Sequence, residues 1–265
     1  MSEVLSVFRD LRHESEELDR LVRELAHEQW ALETPAPGWT VAHQVAHLAW
    51  TDHAALLAAT DPTAFGDEVA KAAAAPDTFV DDGAEEGAAL PPATLLAHWR
   101  TARDDLWRVL SAAPAGTRIP WYGPPMAAPS MATARLMETW AHGQDIADAL
   151  GVTREPTDRL RHVVHIGVRA RDFAYAVRQL PAPKAEFRVE VTSPGGGETW
   201  AYGPEDAPQR VTGPALDFCL LVTRRAHRAD LEVRAEGPDA DRWLDIAQAF
   251  AGPPGKGRAP RGGAR

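Results

Sequence analysis

The chain has 265 residues, 45% of them hydrophobic and 25% charged, and its 38 Asp and Glu against 28 Lys and Arg leave a formal net charge of −10 at pH 7. That length suits one large domain or two smaller ones, of which we expect two, and no uninterrupted apolar run is long enough to span a bilayer. The negative charge repels phosphate backbones, the N-terminus lacks the basic start and apolar stretch of a secretory signal, and the lone Cys219 can build neither an internal disulfide nor a thiolate zinc site.

These bounds set nucleic acid and membranes aside as partners and predict a cytoplasmic protein in which any metal is held by His and carboxylate. From Val4 to about Trp30 apolar residues recur at helical spacing (Leu5, Phe8, Leu11, Leu18, Leu21, Val22, Leu25) and predict a long amphipathic helix. Thr40 is the expected N-cap of a second helix, which Asp61-Pro62 stops near Thr60. The Ala-, Asp- and Gly-rich residues 61–90 include an AKAAAA piece that can extend a helix, but DDGAEEG reads as a solvated loop. A third helix starts at Pro92 with Leu95, Leu96, Trp99, Leu106, Trp107 and Leu110 as its buried stripe. After the proline-rich segment PAGTRIPWYGPPMAAPS, expected to be an irregular loop, Ser130 is the expected cap of a fourth helix ending at Gly151. Four such helices bury their stripes by packing together, so residues 1–151 predict a four-helix bundle.

Beyond the bundle a fifth helix is expected from Thr157 to about Leu180. FRVEVTS, GGGETWAYG and DLEVRAEG then alternate as short strands between glycine turns, while GPALDFCLLVTRRAH and DADRWLDIAQAFA read as helices. Residues 152–252 are therefore expected to form a small α+β domain and 253–265 a disordered, Gly- and Arg-rich tail, which makes the whole chain α+β.

The fourth helix carries RLMETWAHGQDIADALG, in which Glu138 and His142 lie one turn apart on one face. His47, amid the apolar VAHLAW of the second helix, offers a third ligand, since metal sites in bundle cores are assembled from facing helices. A His/Glu/His set leaves a coordination position open on zinc, the mark of a catalytic site. The same spacing also fits an exposed ion pair or a hydrogen-bonded core histidine. His43, one turn before His47, competes as a ligand but reads better as a neighbour of the site or a surface residue; His53 falls on the opposite face, in solvent. Asp145 is placed to orient His142 or simply to solvate the helix, and Arg135 to pair with Glu138 or to hold an anionic cosubstrate.

The two stretches GWTVAHQVAHLAW and RLMETWAHGQDIADALG together resemble the mycothiol-dependent maleylpyruvate isomerase family, whose N-terminal domain is a DinB-like bundle. The family pattern falls on Trp39, Thr40, His47, Arg135, Glu138, His142 and Asp145. The resemblance implies a divalent metal, usually zinc, bound by His47, Glu138 and His142, with an open site for mycothiol, a low-molecular-weight thiol. The C-terminal third looks like the family's small α+β domain, of sterol-carrier-like appearance. VTGPALDFCLLVTRR matches its helix start, with Arg224 where the family has Gly and Arg225 at the position whose arginine can bind a substrate carboxylate.

What this implies is a thiol-dependent isomerase or S-transferase acting on a small electrophilic, unsaturated acid, as a monomer or weak homo-oligomer. Trp121 and Tyr122 would wall the thiol pocket, and Cys219, within ALDFCLLV, is expected to pack as a small hydrophobe. Two other readings use the same site: a hydrolase that activates water, and a metal- or small-molecule-binding protein without turnover.

Overall fold

The computed structural model describes residues 3–262, and the chain divides after Thr153 into two compact units. In the first, α1 (Glu3–Val22), α2 (Val41–Thr60), α5 (Pro92–Ala112) and α6 (Ala128–Leu150) form the helical bundle, α2 lying against α5 and α6, and α1 against α6 and α5. Leu18, Val22, Val41, Val45, Leu48, Leu95, Trp99 and Ile146 fill its core; a large side chain of this kind contributes about 1.5–3 kcal/mol when fully buried. The first helix stops earlier than its periodicity predicts. A 3-10 turn at His27–Ala31 follows it and delivers Trp30 to the core, while the Leu5 side chain lies outside the described residues. Asp19 ties α1 to α5 through Arg100 and Arg103, each at 2.6 Å.

Residues 61–90 are two helices rather than a solvated loop: α3 (Pro62–Ala74) and α4 (Phe79–Ala88). Asp61 caps α3 by accepting from the Ala64 N–H at 3.0 Å, with Pro62 in the first turn. In α4 the glycines that suggested a loop are its packing face. A Cβ on Gly87 would stand 2.7 Å from the Ala46 Cβ, and one on Gly83 3.0 Å from the Trp50 ring, so these two positions let α4 lie directly against α2. Replacing Gly87 by Leu is expected to push α4 off α2 and cost about 1–3 kcal/mol, read as a lowered midpoint in chemical denaturation.

The proline-rich loop is closed by a two-residue antiparallel ribbon, β1 (Arg118–Ile119) with β2 (Met126–Ala127). Helix α6 begins at Ala128 with Pro129 in its first turn, which leaves Ser130 inside the helix and not at its cap; Gly151 ends it as expected, at φ +67°.

The second unit opens with α7 (Leu160–Arg169) and α8 (Arg171–Ala176) where one longer helix was expected. Its sheet has the order β4-β3-β5-β6, with β3 (Phe187–Thr192), β4 (Thr199–Tyr202), β5 (Gln209–Pro214) and β6 (Arg234–Glu236); β3 and β5 run parallel and the other pairs antiparallel. Strand β5 was not expected, and its last two residues, Gly213 and Pro214, fall in the segment read as a helix. Only Gln209 and Val211 of it are buried, an alternation too short to stand out before the apolar run of α9 (Ala215–Val222). Helix α10 (Pro238–Ile246) sets Trp243 edge-on against Phe187 and Phe218 in the core. After α9, Arg224 holds φ +61°, the left-handed conformation that ends helices and favours glycine. Residues 253–262 carry no helix or strand, yet the Arg261 N–H donates to the Asp230 carboxylate at 3.0 Å; 263–265 lie outside the described residues.

Candidate metal centre

Helix α2 supplies His47 and α6 supplies Glu138 and His142. The three offer ligand atoms that all lie within 4.8 Å of one another. The Glu138 Oε2 is 3.1 Å from the His142 Nε2 and 4.0 Å from the His47 Nε2, with the side chains of His47, Glu138 and His142 12%, 19% and 10% exposed. Burial pushes the Glu138 carboxyl up, but the hydrogen bond from His142 and the charges of His142, His47 and Arg135 outweigh it and hold the pKa at about 2. The carboxylate is thus ionised throughout the physiological range.

His142 is oriented by Gln44, a residue the sequence reading passed over. The His142 Nδ1 meets the Gln44 Oε1 at hydrogen-bond distance, while the Gln44 Nε2 donates to the Thr34 Oγ1 at 2.8 Å and the Thr34 hydroxyl donates to the Trp39 carbonyl at 2.7 Å. This chain turns the amide oxygen toward His142, so Nδ1 carries a proton and Nε2 is left facing the Glu138 carboxylate. The His142 Nε2 and the Glu138 carboxylate, 3.1 Å apart, can share either a proton or a cation, and two imidazoles with one carboxylate fit a divalent ion of the zinc type. The signal in the sequence was a glutamine on the same face of α2 as His47, one turn before it. Gln44→Leu is expected to weaken metal affinity about 10–100-fold, as loss of a partner behind a histidine ligand does, measured by competition with a chelating dye.

The other candidates fall into distinct places. His43 caps α2: its Nδ1 accepts from the Thr40 N–H at 3.2 Å, and its Nε2 meets the Glu85 carboxylate of α4 at 2.7 Å. Both ring nitrogens are thereby engaged away from the cluster. His53 is exposed and Asp145 buried. Arg135 is 3% exposed and turned away from Glu138 to the neighbouring helix, its Nε donating to Asp52 at 2.8 Å and its Nη2 to the Thr51 hydroxyl at 2.7 Å. These bonds engage two of its donors, and its charge helps to keep the Glu138 carboxylate ionised. Cys219 is fully buried, which pushes its thiol well up. Arg225 lies in the second unit, its Nη1 donating to the Thr223 carbonyl at 2.8 Å.

Aromatic rings surround the cluster. Trp39 packs on His47 and His142 at centroid distances of 5.2 and 5.9 Å and donates its indole N–H to Asp81 of α4 at 3.0 Å. From His47 a chain of ring contacts runs through Trp50 and Phe79 to Tyr122, which also touches Phe65 and Trp121. The Tyr122 hydroxyl is pushed up to about 12 by burial, with the nearby Glu68 charge adding to it, and stays protonated at neutral pH.

A helical bundle with a His/Glu/His cluster between two of its helices, followed by a small α+β unit, is the architecture of a candidate metal-binding bundle protein. Residues 11–147 match the family model of the mycothiol maleylpyruvate isomerase N-terminal domain, and the chain belongs to that family. Residues 183–234 match a second model, described as wyosine base formation. Two uncharacterized proteins from two strains of Mycobacterium tuberculosis are each 58% identical to this chain over 249 residues, 94% of it and 96% of the relative. The crystal structures of the mycothiol-dependent maleylpyruvate isomerase and of one of its mutants share the fold, with TM-scores of 0.57 and 0.58 at 15% and 14% identity, over 90% of this chain and 96% of theirs. Among the described residues no helix is long and apolar enough to cross a membrane.

Proposed function

We propose that this protein is a cytoplasmic, zinc- and mycothiol-dependent isomerase or S-transferase acting on a small electrophilic, unsaturated carboxylic acid. The observation that carries the reading is the cluster itself: His47, Glu138 and His142 present their ligand atoms within 4.8 Å, with Gln44 fixing the ring of His142. Zinc held by these residues supplies a positive charge that lowers the pKa of a thiol, so that its thiolate exists at neutral pH.

Two neutral imidazoles and one carboxylate leave one net positive charge on a divalent ion, which suits a thiolate better than a second carboxylate ligand would. Trp39 closes one side of the cluster, and the aromatic chain from Trp50 to Tyr122 and Trp121 walls the approach for the body of mycothiol. In the isomerase the thiolate sulfur adds to the activated C=C, the resulting single bond rotates, and loss of the same thiolate restores the double bond in the trans form. In the transferase the carbanion takes up a proton and the thioether is the product. Arg225 is the proposed group for the substrate carboxylate.

The test is to follow maleylpyruvate and related cis-unsaturated acids by NMR with the zinc-loaded protein, with and without mycothiol. Conversion to the trans acid, or a thioether adduct, that requires mycothiol is expected. Turnover that ignores the thiol, or none across the panel, would refute the reading.

A further inference from the structure

The second unit contains a cleft of about 660 Å³ walled by the end of α9, the turn that follows it, α10 and residues 256–258 of the tail. That volume falls in the range of small-molecule sites, about 300–1,000 Å³. Its lining is divided by chemistry. Leu221, Val233 and Leu244 make an apolar floor, while Arg224, His227 and Lys256 bring cationic or donor groups to it.

The cations there are unevenly balanced. Arg228 is neutralised by Asp241 and Asp245 at 2.5 and 2.8 Å. Arg224 is not: its Nε is buried without a hydrogen-bond partner among the described residues, and its neighbour in charge is another guanidinium, Arg178, which burial and the Arg224 charge both push down. The His227 Nδ1 accepts from the Ala229 N–H at 3.1 Å, which leaves its Nε2 as the donor. The tail backbone comes up against Arg224 at Gly257, where a Cβ would stand 2.6 Å from the guanidinium Nη2, and the Arg261 N–H bonded to Asp230 fastens the tail in place. Arg224 does all this at φ +61°, where glycine would be relaxed. A long cation kept in a conformation costly for it, with a buried donor unmet and a like charge beside it, is a group waiting for an anion.

We propose that this cleft is a binding site for a small amphipathic anion, its phosphate or carboxylate held by Arg224 with Lys256 and His227, and its apolar portion on Leu221, Val233 and Leu244. The residues that line it all belong to the second unit.

Isothermal titration at low salt with octyl phosphate, octanoate, octanol and inorganic phosphate tests it on the full chain. Octyl phosphate or octanoate is expected to bind at least tenfold more tightly than octanol or inorganic phosphate, and whichever of the two binds better identifies the head group. Arg224→Gly is the decisive variant, because glycine accepts the left-handed backbone and the fold is expected to keep its Tm; binding should fall at least tenfold. Lys256→Ala should weaken it as well, and Glu138→Ala should leave it unchanged. No binding of either anion to the parent, equal binding of octanol, or undiminished affinity in Arg224→Gly would overturn the assignment, and loss of binding in Glu138→Ala would assign the heat to the other cluster.

Discussion

The purified protein is expected to carry about one equivalent of zinc, and His47→Ala, Glu138→Ala and His142→Ala are each expected to lose it, as elemental analysis after gel filtration would show. Each variant removes one of the three proposed ligands, and two ligands with an open coordination sphere hold zinc far more weakly than three. Glu138→Ala should have the largest effect. Its carboxylate is the sole negative charge in the ligand set and is ionised down to a pKa of about 2, so its loss removes charge as well as a bond. Glu138→Gln keeps the shape and hydrogen-bonding reach but not the charge, and should bind nearly as poorly. All four variants are expected to stay folded, since none of the ligand side chains belongs to the Leu48, Trp99 and Ile146 core, and circular dichroism would check it. Undiminished zinc in the folded Glu138→Ala and His142→Ala proteins would place the metal elsewhere.

Much of this arrangement was legible in the sequence. Glu138 and His142 share a face because a helix brings i and i+4 together, and the apolar surroundings of His47 placed it in the bundle interior. The bundle followed from four stripes that need one another. What escaped was what spacing does not encode. Helix α4 has few apolar residues, and its two glycines argue against a helix until Ala46 and Trp50 are seen pressed against them. Asp145, one turn along the same helix, was one candidate to orient His142, the other reading being that it solvates the helix, whereas the Nδ1 of His142 meets an atom of Gln44 on the facing helix. Local periodicity finds neighbours within an element; the choice between partners on two elements is made by packing.

Arg135 is the clearest instance, and its removal is expected to be the most damaging single change to stability. Its guanidinium and the Asp52 carboxylate are 3% and 5% exposed and 2.8 Å apart. Burial pushes the Asp52 carboxyl up, against the opposing pull of Arg135. Arg135→Ala strands that carboxylate in the bundle core, and breaking a buried pair on one side costs about 3–5 kcal/mol. Arg135→Met combined with Asp52→Leu removes both charges, fills similar volume and is expected to recover most of the loss. The pH dependence separates this account from simple loss of packing. An acid whose folded pKa lies above its unfolded value binds its proton more tightly in the native state, so its ionisation costs stability above the folded pKa and ceases to do so as pH falls below it. Without Arg135 the Asp52 carboxyl is raised further, and the gap in unfolding free energy between Arg135→Ala and the parent should shrink steadily on acidification. In the double variant, which has no carboxyl to titrate, it should not. A gap for Arg135→Ala that is independent of pH would mean that the arginine acts by filling space, and that the charge pair between α2 and α6 contributes little to holding His47 opposite Glu138.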